Sequence, residues 1–113
     1  MASFRASAAI VEAVRGVDPP RVLDAARAAI AGEWQVEDAF VDVQPLARGA
    51  GPPRVTVRFV VPTGNDAEEN AAAWRAAKVM ATALGVVAHW TDLRVLRRSG
   101  GRWVRLDGSD GLS

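Results

Sequence analysis

The run Trp90-Thr-Asp-Leu-Arg94-Val-Leu-Arg97-Arg98-Ser-Gly100-Gly101-Arg102-Trp103-Val-Arg105-Leu106 decides how this chain is read. Charge, aromatic rings and strand alternation coincide only here. Gly100-Gly101 can supply the positive φ angles of a two-residue hairpin turn. That turn pairs Arg98 with Trp103, Arg97 with Val104, Leu96 with Arg105 and Val95 with Leu106. One face of the hairpin then carries Leu93, Val95, Val104 and Leu106. The other carries Arg94, Leu96, Arg98, Trp103 and Arg105.

Upstream, residues 54–61 form the cleanest strand pattern. Val55, Val57, Phe59 and Val61 alternate with Arg54, Thr56, Arg58 and Val60. Asn65-Asp-Ala-Glu68 resembles a capping box. It opens a helix reaching Leu84, with the stripe Ala67, Ala71, Trp74, Ala77, Ala81 and Leu84, and Gly85 suits its stop. Residues 34–46 are extended, with a slip near Glu37-Asp38-Ala39 that fits a bulge. Residues 48–53 read as a loop. Asp18-Pro19-Pro20 starts a helix to Gly32 through Val22, Leu23, Ala26, Ala29 and Ile30. Ser3 to Arg15 reads as a short first helix, because Phe4, Ala8 and Val11 share a stripe and Gly16 follows. The tail 107–113 reads as frayed.

These elements give the order α-α-β-β-α-β-β in one domain. Without the first helix, this is a ferredoxin-like unit whose first strand has moved to the end of the chain. The expected fold is an α+β two-layer sandwich: a circularly permuted, ferredoxin-like, four-stranded antiparallel sheet with helices on one face and an extra N-terminal helix. The crossover from residues 54–61 to 86–97 leaves a gap between two parallel strands, and residues 102–106 would fill it. In the runner-up, the two hairpins lie side by side and residues 54–61 pair in parallel with residues 86–97.

Composition bounds the chemistry. A chain of 113 residues buries roughly two-thirds of its unfolded surface without staples. It has no cysteine, which excludes disulfides and thiolate metal sites and fits a cytoplasmic setting. No run reaches the ~18 apolar residues of a membrane span, so no membrane partner is expected. Net charge is only +1, so basic character is local, and five of the fourteen Lys and Arg residues lie between Arg94 and Arg105. Thirteen of those fourteen are Arg; with abundant Ala this fits a GC-rich coding sequence and weakens Arg as a functional signal.

Alternation places Arg54, Arg58, Trp90, Arg94, Leu96, Arg98, Trp103 and Arg105 on one sheet face, opposite the helices. Asp92 joins them, and Asp42 and Asp38 can neutralise part of the face. The face is too apolar to stay bare and too charged to be a core. It fits a solvated amphipathic surface, a protein interface with itself or another subunit, or a nucleic-acid platform with Arg on phosphates and Trp on bases. The near-neutral total charge favours protein over nucleic acid. The expectation is a non-enzymatic interaction or assembly module, a subunit of a homo-oligomer or larger complex. The alternatives are a nucleic-acid-binding module, and a small-molecule-binding or accessory subunit of an enzyme complex. Neither a cofactor nor a metal is called for. His89, the single histidine, reads as a partly buried structural residue on the helix side with Thr91, away from Asp92.

Overall fold

The computed structural model describes residues 1–46 and 49–107. Its elements are β1 (Ala2–Ala13), α1 (Pro19–Ala31), β2 (Gln35–Leu46), β3 (Gly49–Val61), α2 (Asp66–Val87), β4 (Ala88–Ser99) and β5 (Arg102–Arg105). The chain is α+β, with five strands in the order β2-β3-β1-β4-β5, all neighbours antiparallel. Both helices pack on one face.

The N-terminal segment corrects the expected helix. Ser3 to Arg15 satisfies helical spacing, but Phe4, Ala6, Ala8 and Ile10 also alternate with Arg5, Ser7, Ala9 and Val11. Alanine favours helix locally. The sheet overrides that preference, because β3 and β4 are parallel and one strand apart. Pairing with both sides of that gap satisfies the backbone of β1 along its length: Phe4 faces Phe59 and Arg97, and Ala6 faces Val57 and Val95. The gap expected from the crossover is therefore real, and its occupant is the N-terminus. The C-terminal strand is the sheet edge instead. The sheet has five strands rather than four, the order β-α-β-β-α-β-β is not a permutation, and no extra helix exists among the described residues. Nor do β3 and β4 pair directly, as the runner-up required.

The hairpin register is the one the sequence implied. Arg98 pairs with Trp103, Arg97 with Val104 and Leu96 with Arg105, and the Leu106 N–H donates to the Val95 carbonyl at 2.8 Å. Gly100 and Gly101 take φ of 55° and 79°, which L-residues with a Cβ rarely adopt. The bulge near Glu37 is also present, as a register shift between Val36 and Asp38. Two boundaries differ. Residues 49–53 belong to β3 rather than a loop, because they pair back onto β2; Ala47 and Arg48 lie outside the described residues. Helix α2 runs through Gly85 to Val87, so Gly85 is not its stop. Of the tail, residues 108–113 lie outside the described residues.

The core lies between sheet and helices. Phe4, Phe59, Ile30, Met80, Leu84, Val55, Val57 and Val95 are its largest fully buried side chains. Phe4 stacks on Phe59 at 6.1 Å, and Trp34 meets Phe59 edge-on at 6.4 Å. The small Ala6, Ala8, Ala73, Ala76 and Ala77, all fully buried, let α2 lie close to the sheet. The buried stripe of α2 includes Trp74, Ala77, Ala81 and Leu84, as the spacing implied, but Ala67 and Ala71 are exposed. Its start is fixed by the capping box: Asn65 Oδ1 accepts from Glu68 N at 2.8 Å, and Glu68 returns a bond to Asn65 N.

Arg97 fastens α2 to β4. Its guanidinium donates to Asn70 at 2.8 Å, Glu69 at 2.7 Å and Asp66 at 3.2 Å, and sits 5.2 Å from the Phe4 ring centre. The hydrogen bond from Arg97 holds the buried Glu69 carboxyl below the usual carboxylate range, despite desolvation.

Candidate functional site

The sheet face opposite the helices is built by strand parity. From β3 it displays Arg54, Thr56, Arg58 and Val60; from β1, Ser3, Arg5, Ser7 and Ala9; from β4, Asp92, Arg94, Leu96 and Arg98; from β5, Trp103 and Arg105. Strand β2 adds Glu37, Asp38, Phe40 and Asp42. Seven of the eight residues singled out from sequence lie here: Arg54, Arg58, Arg94, Leu96, Arg98, Trp103 and Arg105.

Trp90 does not. It pairs with Ile10, on the helix side, and packs against the core, with its indole nitrogen 3.9 Å from where a Cβ on Gly85 would sit. The cause is a bulge in β4. Between the Ser7–Arg94 and Ala9–Thr91 pairs, β4 carries one extra residue, and Asp92 adopts φ 55°. Asp is among the few residues with a Cβ that tolerate this conformation. The bulge reverses parity upstream, so Thr91 joins the open face and Trp90 leaves it. His89 pairs with Glu12 and is exposed, contrary to the expected partial burial.

Trp103 is the aromatic centre of the face. The guanidinium of Arg5 lies 4.2 Å from its ring centre, with Arg58 at 5.2 Å and Arg98 at 5.3 Å. Arg5 also lies 5.3 Å from the Phe40 ring, so it bridges Phe40 and Trp103. Such contacts contribute about 0.5–1 kcal/mol each when exposed and more when desolvated. Burial, then repulsion from Arg58 and Arg98, lowers the Arg5 pKa. Glu37 bridges Arg58 at 3.1 Å and Ser3 at 3.0 Å.

Beside this cluster, Asp92 organises the second half of the face. Its carboxylate accepts from Arg54 at 3.0 Å and Arg94 at 2.6 Å, and Arg105 lies 3.9 Å away. Arg54 is locked further: Nε donates to Ser7 Oγ at 2.9 Å, and Nη2 to the carbonyls of Ser7 at 3.2 Å and Asp92 at 2.7 Å. The hydrogen bond from Arg94, with the charges of Arg94 and Arg54, holds the Asp92 carboxyl below the usual carboxylate range. Burial and the charge of Arg94 lower the pKa of Arg54.

Between these groups lies a hollow of about 340 Å³, lined by Arg5, Ser7, Asp42, Val43, Arg54, Thr56, Arg94, Leu96 and Arg105. Ser7 and Thr56 are short, buried and bonded to each other at 3.2 Å. Arginine stems rise around them, so the hollow follows from side-chain length. The Nε–H groups of Arg5 and Arg94 are buried without an acceptor. Leaving such a donor unmet costs about 1–3 kcal/mol.

Arg5 and Ser7 are not legible from helical spacing, which residues 3–15 also satisfy. The alternation of Arg5, Ser7 and Ala9 with buried Phe4, Ala6 and Ala8 was the available signal. Among the described residues no group of three His, Asp or Glu side chains could hold a metal ion, and no helix is long and apolar enough to cross a membrane. No protein-family model matches this chain, nor does any curated protein or solved structure.

Proposed function

We propose that this chain is an assembly module that docks a second copy of itself through the open sheet face. Its first six elements then serve as a ferredoxin-like scaffold, with β5 widening the sheet. The observation that carries this reading is the division of charge across the face. Edge strand β2 presents Glu37, Asp38 and Asp42 and no basic side chain among its described residues, whereas β4 and β5 at the other side present Arg94, Arg98 and Arg105 against one carboxylate, Asp92. A two-fold axis parallel to the strands lays β2 of one copy over β4 and β5 of the other. Asp38, which the register sets level with Arg105 across the sheet, then meets the partner's Arg105 twice, as an isologous interface requires.

Area and composition agree with this. Four strands of 12 or 13 residues and the four-residue β5, about 4.8 Å apart with a rise of about 3.3 Å per residue, offer about 800 Å², the usual contribution of each partner to a stable interface. Trp103, Phe40 and Leu96 supply the apolar centre, and Trp and Arg are residue types enriched at interface hot spots. Nucleic acid is the second reading, since an Arg and Trp face can hold phosphates and bases. The acids on β2 and at Asp92 count against it.

Sedimentation velocity over a range of concentrations tests the proposal, beside Trp103→Ala and Arg94→Glu. Wild type should shift from one copy to two, with both variants weakened at least tenfold. A wild-type chain that remains a single copy at all accessible concentrations contradicts it. Binding to a single-stranded oligonucleotide that weakens steeply with salt would favour the second reading.

A further inference from the structure

We propose that the hollow at Ser7 and Thr56 is a binding site for a small phosphate-monoester ligand. The hollow is complete within one copy, so this inference does not rest on self-association. Four strands, β1, β3, β4 and β5, deliver Arg5, Arg54, Arg94 and Arg105 to it. Arg54 makes four hydrogen bonds to Ser7 and Asp92, so it acts as a fixed wall. Arg5, Arg94 and Arg105 line the hollow, and Asp92 engages Arg94 and Arg105 only through Nη2, so the other terminal guanidinium N–H groups are the donors for a ligand.

The charge in the hollow selects the ligand. Four arginines face two carboxylates, Asp42 in the lining and Asp92 against Arg54, leaving an excess of two positive charges. A phosphate monoester carries about −1.5 to −2 near neutral pH. Its three terminal oxygens match donors arriving from separate strands better than the two coplanar oxygens of a carboxylate. The floor hydroxyls of Ser7 and Thr56 are nine-tenths or more buried and lie at the base of the hollow, as neutral polar groups beneath the anion. The volume of about 340 Å³ is at the lower end for small-ligand pockets and exceeds what phosphate alone fills. Leu96 gives the organic part of the ligand an apolar wall.

Titration of the isotope-labelled chain with inorganic phosphate and with phenyl phosphate, followed by amide NMR, tests this. Saturable shifts should centre on Ser7, Thr56 and Arg94, with phenyl phosphate binding more tightly because it reaches Leu96. Arg94→Gln should weaken binding about tenfold, the usual consequence of losing a charge-assisted bond. Arg105→Gln, at a more exposed side chain, should weaken it a few-fold and leaves the fold intact if Arg94→Gln does not. Arg75→Gln, on the helix side, should change nothing. No saturable shift at millimolar phosphate and low ionic strength overturns the proposal. So do affinities unchanged in both hollow variants, and so does an oligonucleotide that binds where both monoester probes fail. Because docking covers Arg94, Leu96 and Arg105, the titration is run at concentrations where sedimentation shows a single copy, so failure of the hollow and failure of the docking face are distinguishable.

Discussion

Replacing Phe4 by Ala should be among the most damaging single changes in this chain. Phe4 is 0% exposed, on the central strand, stacked on Phe59 and under the guanidinium of Arg97. Truncating a buried Phe to Ala costs about 3–5 kcal/mol. Unfolding entropy near 2.1 cal/mol/K per residue over 113 residues makes 1 kcal/mol worth about 4 °C, so Tm should fall by about 12–20 °C. Urea titration followed by circular dichroism, with an unchanged denaturant slope, measures it directly. Val11→Ala is the control. A helix over residues 3–15 puts Phe4 and Val11 on one stripe, so both truncations would hurt. The strand buries Phe4 at the sheet centre but puts Val11 at the register shift between Ile10 and Glu12, 65% exposed, so its loss should stay within about 0.5 kcal/mol. A Phe4→Ala variant that loses less than about 1 kcal/mol, or a Val11→Ala variant that loses as much, refutes the central placement of β1.

Other consequences follow from local geometry. Asn65→Ala removes the acceptor for Glu68 N and should cost about 1 kcal/mol in the same urea assay, with an unaltered fold. The carboxyl of Asp92 titrates below its unfolded value, so the native chain binds fewer protons than the unfolded chain in acid. Its contribution to stability is full above the ordinary aspartate pKa and is lost as pH falls through the lower native value. Wild-type stability should therefore drop more steeply than that of Asp92→Asn between about pH 5 and pH 2. Parallel slopes would deny Asp92 its place among the arginines.

Strand alternation carried the legible part of this molecule. In residues 54–59 apolar side chains alternate with Arg54, Thr56 and Arg58, and the Gly100-Gly101 turn fixes the pairing of Arg98 with Trp103, so parity and register are legible there. The N-terminus could not be read that way. Alanine and serine are small enough for either period, and only the gap between β3 and β4 selects strand. That one choice moved β5 to the edge and kept Arg5 and Ser7 out of the expected face. Trp90 failed for a different reason. Alternation was counted through Asp92 as if the strand were regular, and a single bulged residue with positive φ moved the ring to the other side. Asp38 and Asp42 were expected near the arginines, but their grouping on one edge, opposite Arg98 and Arg105, depends on strand order and so on the three-dimensional sheet.

The most direct test of face-to-face docking uses two charge-reversed chains. One carries Asp38→Arg, the other Arg105→Glu, two exposed positions that the register sets level with each other. Each alone sets like charges opposite each other at both symmetric contacts, whereas the mixture restores opposite charges at both. Sedimentation velocity should show a single copy for each chain alone and a two-copy species in the equimolar mixture. Two separate single-copy chains after mixing, with a self-associating wild type as reference, would contradict docking through this face.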